Sequence, residues 1–158
     1  MKNKTTLNII FYISIFALGS AYFIEYILDY KPCNLCLIER LPYFFAIIII
    51  LLGLSLNRFE KFIFISLGLI FASATILSLY HVGIEQGFFK ESLVCISNDE
   101  INSLDKEDLI KELQKKVVSC KDVHFTLLGL SLATINAIIS FILSVITFKL
   151  FLNYEKNR

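Results

Sequence analysis

Pro32-Cys33-Asn34-Leu35-Cys36-Leu37-Ile38-Glu39-Arg40 leads into Leu41-Pro42-Tyr43-Phe44-Phe45-Ala46-Ile47-Ile48-Ile49-Ile50. A Cys-x-x-Cys pair therefore stands where a polar turn enters a long apolar run. Such a pair can alternate between dithiol and disulfide. At the edge of an apolar span, followed by the charged Glu39-Arg40, it suggests redox chemistry with a lipid-soluble partner.

The apolar run after Cys36 is one of four. The 158-residue chain is 56% hydrophobic, where a soluble domain is about 45–50% apolar. Its mean hydropathy is +0.70. The excess falls in blocks at about 7–24, 36–56, 62–80 and 125–148, and a membrane-crossing helix needs about 17–25 largely apolar residues. The expected fold is all-α: an integral membrane four-helix bundle, a single membrane domain over 1–158, with a short first and a long third extracytoplasmic loop. The third loop, 81–124, carries the remaining cysteines, Cys95 and Cys120. A net charge of +1 argues against a nucleic-acid partner. Lys2 and Lys4 before the first run resemble a signal peptide, but the run exceeds the usual signal core of about 7–15 residues. An uncleaved helix is expected.

Lys2 and Lys4, Arg58 and Lys61, and Lys149, Lys156 and Arg158 mark one side of the membrane. By the positive-inside rule that side is cytoplasmic, which places both termini there and all four cysteines outside. Tyr22, Tyr26, Tyr30, Tyr43 and Tyr80 fall near the outer surface, where a ring with a wet hydroxyl is favoured. Disulfides persist in that compartment and are rare in the cytosol.

Pro32 suits a helix start because it lacks the N–H left unpaired there. Cys33 and Cys36 then share a helical face, and Arg40 lies one turn beyond Cys36. Proximity to a helix N-terminus and to arginine stabilises a thiolate, so Cys36 is the expected nucleophile and electron donor. Plainer readings compete. The four cysteines could form two structural staples, the pairs could bind zinc, or the Cys-x-x-Cys could be chance. Staples mainly serve small domains short of core, and structural zinc favours two closely spaced pairs. Arg40 could simply extend its head group to the interface, although an ionisable residue within a span is a functional candidate.

Residues 103–120 read as an amphipathic helix, with Leu109, Leu113 and Val117 in helical register. Acidic residues open it and Lys115 and Lys116 close it, matching the helix dipole. Lying on the bilayer surface, it would bring Cys120 back towards Cys33 and leave Cys95 exposed for a protein partner. His81 and Glu85 share a face at the outer end of the third span, placed to line a pocket for a quinone head group or simply to be solvated. Gly129, Ala133, Asn136, Ala137, Ser140 and Ser144 form a small or polar face on the fourth span, read as helix packing.

Pro32-Cys33-x-x-Cys36-x-x-Glu39-Arg40 opening the second of four spans resembles the disulfide bond formation protein B (DsbB) family. Tyr80-His81-Val82-Gly83-Ile84-Glu85-x-Gly87 before Cys95 is similar to that family too, as is Cys120 followed by Leu128-Gly129-Leu130-Ser131 and Asn136. The resemblance covers nearly the whole chain except the Lys/Glu-rich part of the third loop. It implies a thiol:quinone oxidoreductase of the bacterial inner membrane. In that route Cys95 takes up a periplasmic DsbA-type thioredoxin-like oxidase as a mixed disulfide. Cys120 resolves it and exchanges with Cys33, and Cys36 passes electrons to ubiquinone or menaquinone held near Arg40 and His81. A vitamin-K-epoxide-reductase-like enzyme is the alternative, but there the Cys-x-x-Cys follows the loop pair, whereas here it precedes it. The alternative outside enzymes is a membrane scaffold stapled by disulfides.

Overall fold

Four helices in the computed structural model are long and apolar enough to cross a membrane, spanning Lys4–Tyr26, Asn34–Leu54, Lys61–Glu85 and Leu132–Asn153. The structure describes residues 4–56, 60–90, 119–120, 126–127 and 129–156. Cys95, His124 and nearly all of the expected 103–120 helix lie outside the described residues. In chain order the elements are α1 (Lys4–Tyr26), α2 (Asn34–Ile38), α3 (Leu41–Leu56), α4 (Glu60–Glu85), the two-residue strands β1 (Thr126–Leu127) and β2 (Leu130–Ser131), and α5 (Leu132–Lys156). The chain is an all-α four-helix membrane bundle, with one short antiparallel ladder among the described residues, Thr126 opposite Ser131 and Leu127 opposite Leu130.

The second span is two helices in sequence, α2 and α3, with a turn at Glu39-Arg40. Pro42 accounts for the break. It has no N–H to offer the Ile38 carbonyl, and its ring crowds the carbonyl four residues back. The remaining bonds close the turn, Glu39 N–H to Leu35 O at 2.9 Å and Arg40 N–H to Leu37 O at 3.2 Å. This break turns Glu39 and Arg40 away from a continuous helical face.

The third span runs further than the apolar block suggests, through His81 to Glu85. It stops in a Schellman arrangement. Gly87 adopts φ +79°, Gly87 N–H bonds Ile84 O at 3.0 Å and Phe88 N–H bonds Gly83 O at 2.8 Å, satisfying carbonyls the helix end would leave open. Phe89 folds back against Gly83 and packs on Tyr80, ring centroids 5.5 Å apart. The fourth span begins at Leu132, later than the apolar block. Gly129, at φ +81°, turns the short ladder, and Ser131 Oγ caps α5 by accepting Thr134 N–H at 3.2 Å. A side-chain oxygen there satisfies one of the helix's free donors.

Apolar side chains face outward all round the bundle, including Phe16, Phe62, Ile76 and Phe141. Lipid is as apolar as the interior, so burial does not drive helices together; close packing and interhelical hydrogen bonds do. The inner cluster joins Leu7 and Ile10 of α1, Tyr43, Ala46 and Ile50 of α3, Phe64, Leu67 and Phe71 of α4, and Leu143 of α5. α4 and α5 make the most extensive contact. Gly68 permits it: a Cβ there would stand 3.3 Å from the Phe148 ring, and Ser144 Oγ donates to Gly68 O at 3.4 Å.

Gly68→Leu is expected to lower the thermal unfolding midpoint in detergent, by overpacking worth about 1–3 kcal/mol. Gly19→Ala, which meets nothing within 4 Å, should leave the midpoint unchanged. Equal midpoints for Gly68→Leu and wild type would show that α4 and α5 do not depend on this approach.

Candidate active site

Cys33 caps α2. Its backbone is extended, φ −74° and ψ 168°, and Pro32 sits outside the helix rather than at its first turn. The Cys36 N–H points at Cys33 Sγ, 3.4 Å away. The helix N-terminus therefore acts on Cys33, not on Cys36 as the spacing suggested. The two Sγ atoms are 3.2 Å apart and both thiols are free. Cys120 packs in the same buried cluster, with Leu35 and Ile84, and is hydrogen-bonded to Cys33. One sulfur thus stands between two others. Hydrogen bonds from the Cys120 and Cys36 thiols hold Cys33 well below the usual thiol range. Burial opposes them, and His81 and the Cys36 amide add to them.

His81 comes from α4 and is 2% exposed. Its Nε2 lies 3.6 Å from Cys33 Sγ, and its Nδ1 lies 2.8 Å from Glu39 Oε1. Glu85, one turn on, places Oε1 4.0 Å from Nε2. Glu39 Oε2 accepts from Asn136 Nδ2 of α5 at 2.9 Å. Asn136 Nδ2 also reaches Ser78 Oγ at 2.8 Å, and its Oδ1 accepts from Tyr43 Oη at 2.5 Å. Tyr43 Oη lies 3.0 Å from Ser140 Oγ. A chain of polar contacts thus runs from Cys33 to the first turns of α5 through buried and half-buried groups.

Three readings from sequence change here. Tyr43 is 3% exposed, part of this network and not of an interfacial tyrosine belt, because α3 turns it inward to Asn136 and Ser140. Asn136 and Ser140, read as packing residues, hold the site together. Glu39 appeared only as half of a charged pair. The signal available for it was a carboxylate at the edge of an apolar span, beside a potential imidazole partner.

Arg40 is held by α1. Its guanidinium pairs with Glu25 and lies over the Tyr22 ring, 5.0 Å from the centroid. Arg40 and Cys36 both line a cavity of about 310 Å³ between α1 and α5, with His81 and Glu85 at its polar end and Phe16 and Ala17 along its apolar wall. Pockets of about 300–1,000 Å³ with few polar groups suit small organic ligands. A quinone fits: a carbonyl-bearing ring needs donors at one end, and an isoprenoid tail needs an apolar slot. Cys33, Cys36 and His81 place ligand atoms within 4.8 Å of one another, but closing a Cys33–Cys36 disulfide would remove two of those three ligands.

The sequence profile of the family described as disulfide bond formation protein DsbB matches residues 3–150. The chain belongs to the DsbB family. It is also similar to an uncharacterized protein of Rickettsia prowazekii (strain Madrid E), 35% identical over 147 residues, covering 92% of this chain and 85% of that protein. With four spans and a thiol cluster beside an apolar cavity, the chain is a multi-pass inner-membrane thiol:quinone oxidoreductase, and quinone is its electron acceptor. It works with a thiol oxidase outside that membrane.

Tyr43→Phe removes the hydroxyl that bonds Asn136 and meets Ser140. It is expected to cost about 0.5–1.5 kcal/mol, read as a lower unfolding midpoint in detergent. No change would show that Asn136 keeps its place without Tyr43.

Proposed function

We propose that this protein reoxidises a periplasmic DsbA-type thioredoxin-like oxidase and passes the electrons to membrane ubiquinone or menaquinone. The observation that carries this reading is the position of Cys33 Sγ, between Cys120 and Cys36 at the rim of the cavity. Cys95 is the residue that meets the partner. Its sulfur joins the partner's in a mixed disulfide, and Cys120 leaves as a thiolate. Cys120 then attacks Cys33, breaking the Cys33–Cys36 bond and freeing Cys36. Each exchange is attack of a thiolate on a disulfide sulfur, so each breaks one S–S bond and forms one. The partner's second thiolate breaks the mixed disulfide and frees Cys95, and Cys95 attacks Cys120, restoring the Cys95–Cys120 bond and releasing Cys33. Over the cycle the partner's dithiol loses two electrons and two protons, which leave from the Cys33–Cys36 dithiol as it closes again, the electrons by way of Cys36 at the cavity. Quinone supplies the two-electron acceptor.

Each side chain has a task in this scheme. Cys33, beside the helix N-terminus and His81, is the sulfur best able to carry charge between two exchanges. Arg40 and His81 are the donors for a quinone head group, with Glu25 and Tyr22 fixing the guanidinium at the cavity wall. The apolar wall of α1 receives the tail. Residues 1–158 form a single membrane domain. The basic ends and the 57–61 connection face the cytoplasm, and the short first loop and the long 81–124 loop face the periplasm.

With a reduced thioredoxin-like partner and ubiquinone, purified protein should reduce quinone, followed by its absorbance, and Cys36→Ser should abolish that turnover. Turnover without Cys36 would sink the assignment. Arg40→Ala is expected to raise the quinone KM or lower turnover by about tenfold, the loss of roughly one charged hydrogen bond, while exchange between the cysteine pairs persists in a quinone-free gel-shift assay. An unchanged KM and rate would remove Arg40 from the quinone site.

A further inference from the structure

Cys33 is 5% exposed and His81 2%. When Cys33 and Cys36 close into a disulfide, two thiols become one S–S bond and release two electrons and two protons. In the DsbB-family reaction quinone takes up both. Both cysteines line the cavity, but Cys33 is the more enclosed, and its proton needs an acceptor within reach.

We propose that Glu39 and His81 form a proton relay for Cys33, in which His81 Nε2 takes the proton from Cys33 and Glu39 is the positioning residue that fixes and charges the imidazole. Nδ1 faces a carboxylate oxygen at 2.8 Å, and a carboxylate only accepts. Nδ1 therefore carries its hydrogen, and Nε2, facing Cys33 Sγ at 3.6 Å, is the nitrogen that exchanges a proton with the sulfur. The base is oriented by a third group, the arrangement that activates a nucleophilic thiol in other enzymes. Glu39 is itself fixed. It is 7% exposed, and Asn136 holds its second oxygen while also bonding Ser78 and Tyr43. A buried carboxylate within a membrane bundle is costly. A purely structural role for Glu39 would be served by a neutral amide at less cost.

The exit is also present. Glu85 Oε1, 4.0 Å from Nε2, lines the cavity along with His81 and Cys36. A proton leaving Cys33 passes to Nε2, and Glu85 takes it on toward the cavity once the 4.0 Å gap closes to hydrogen-bond distance. In the reverse sense, His81 returns a proton to Cys33 when that sulfur departs from a disulfide. The titratable groups facing His81 are Glu39 from the α2–α3 turn, Glu85 from its own helix, and Cys33 and Cys36 around α2. Cys120 adjoins Cys33, and Glu25 and Arg40 line the same cavity as a pair. α5 presents Asn136, which is neutral.

The inference deepens the proposed function and rests on it for the direction of electron flow. The test uses the reduced full-length protein in detergent, with His124→Gln leaving His81 as the one histidine, and follows the His81 ring by NMR against pH. Glu39→Gln removes the counter-ion of the imidazolium, so His81 should lose its proton at lower pH, by about one unit, which is tenfold in the proton equilibrium. Glu39→Asp should restore most of that shift. Cys33→Ser should also lower the titration. The acidic limb of the quinone-turnover pH profile, below which Nε2 is already protonated and cannot accept, should move to lower pH with it in Glu39→Gln. A His81 titration unmoved by Glu39→Gln and Cys33→Ser, or an acidic limb that stays in place, overturns the relay. If Glu39→Gln does not fold, Asn136→Ala, which frees Glu39 Oε2, reads the same titration with the carboxylate present, and a smaller shift in the same direction supports the relay. Because the NMR reading needs neither quinone nor partner, a wild type with the Glu39-dependent titration but no turnover would sink the oxidoreductase reading and leave the relay standing.

Discussion

The site depends on a single buried carboxylate. Glu39 lies at the break between α2 and α3, with α4 on one oxygen and α5 on the other. In a membrane bundle the apolar effect does not draw helices together, so a buried charge must be matched by its neighbours or it opens the structure. Here the match comes from residues far apart in sequence: His81 on α4 and Asn136 on α5, the latter braced by Ser78 and Tyr43. Satisfying Glu39 therefore aligns three spans at the depth where the cysteines lie. The same bonds that hold the bundle also aim an imidazole nitrogen at Cys33.

Pro42 makes this possible. An unbroken helix from Asn34 to Leu54 would set Cys36, Glu39 and Arg40 by a regular rotation and place Cys36 and Arg40 on one face. The missing N–H interrupts that rotation and lets neighbouring residues serve different partners. Glu39 turns inward to α4 and α5, while Arg40 turns to Glu25 and Tyr22 of α1.

That is also why the sequence disclosed some of the architecture and not the rest. Four apolar blocks and their basic flanks announce four spans, because membrane thickness imposes helix length directly. The Cys-x-x-Cys turn, Arg40, His81 and Cys120 were legible for a similar reason: polar chemistry is rare at the edge of an apolar block. The α2–α3 break was legible only as Pro42, whose consequence for Arg40 requires the three-dimensional path. The late start of α5 depended on Gly129 at positive φ and on Ser131 as a cap, signals that a run of apolar residues around them masks. Asn136 looked like a packing residue because its partner, Glu39, is on another helix. Long-range pairing of polar groups leaves no periodicity in a single sequence.

The two thiols of the Cys-x-x-Cys pair end up in unlike settings, an asymmetry that suits the proposed direction of the electron path. Cys33 is enclosed, capped by the Cys36 amide, approached by Cys120 and faced by His81. Cys36 is the more exposed of the two and lines the cavity near Arg40. A sulfur that must exchange with two different sulfurs gains from proximity to both and from a base beside it. A sulfur that must hand electrons to a lipid-soluble acceptor gains instead from an open, largely apolar approach. Exchanging those surroundings would place the exchanging sulfur at the lipid-side cavity and bury the donor. In the proposed scheme the two tasks are separated over only three residues, one cysteine being the cap of a helix and the other part of its first turn.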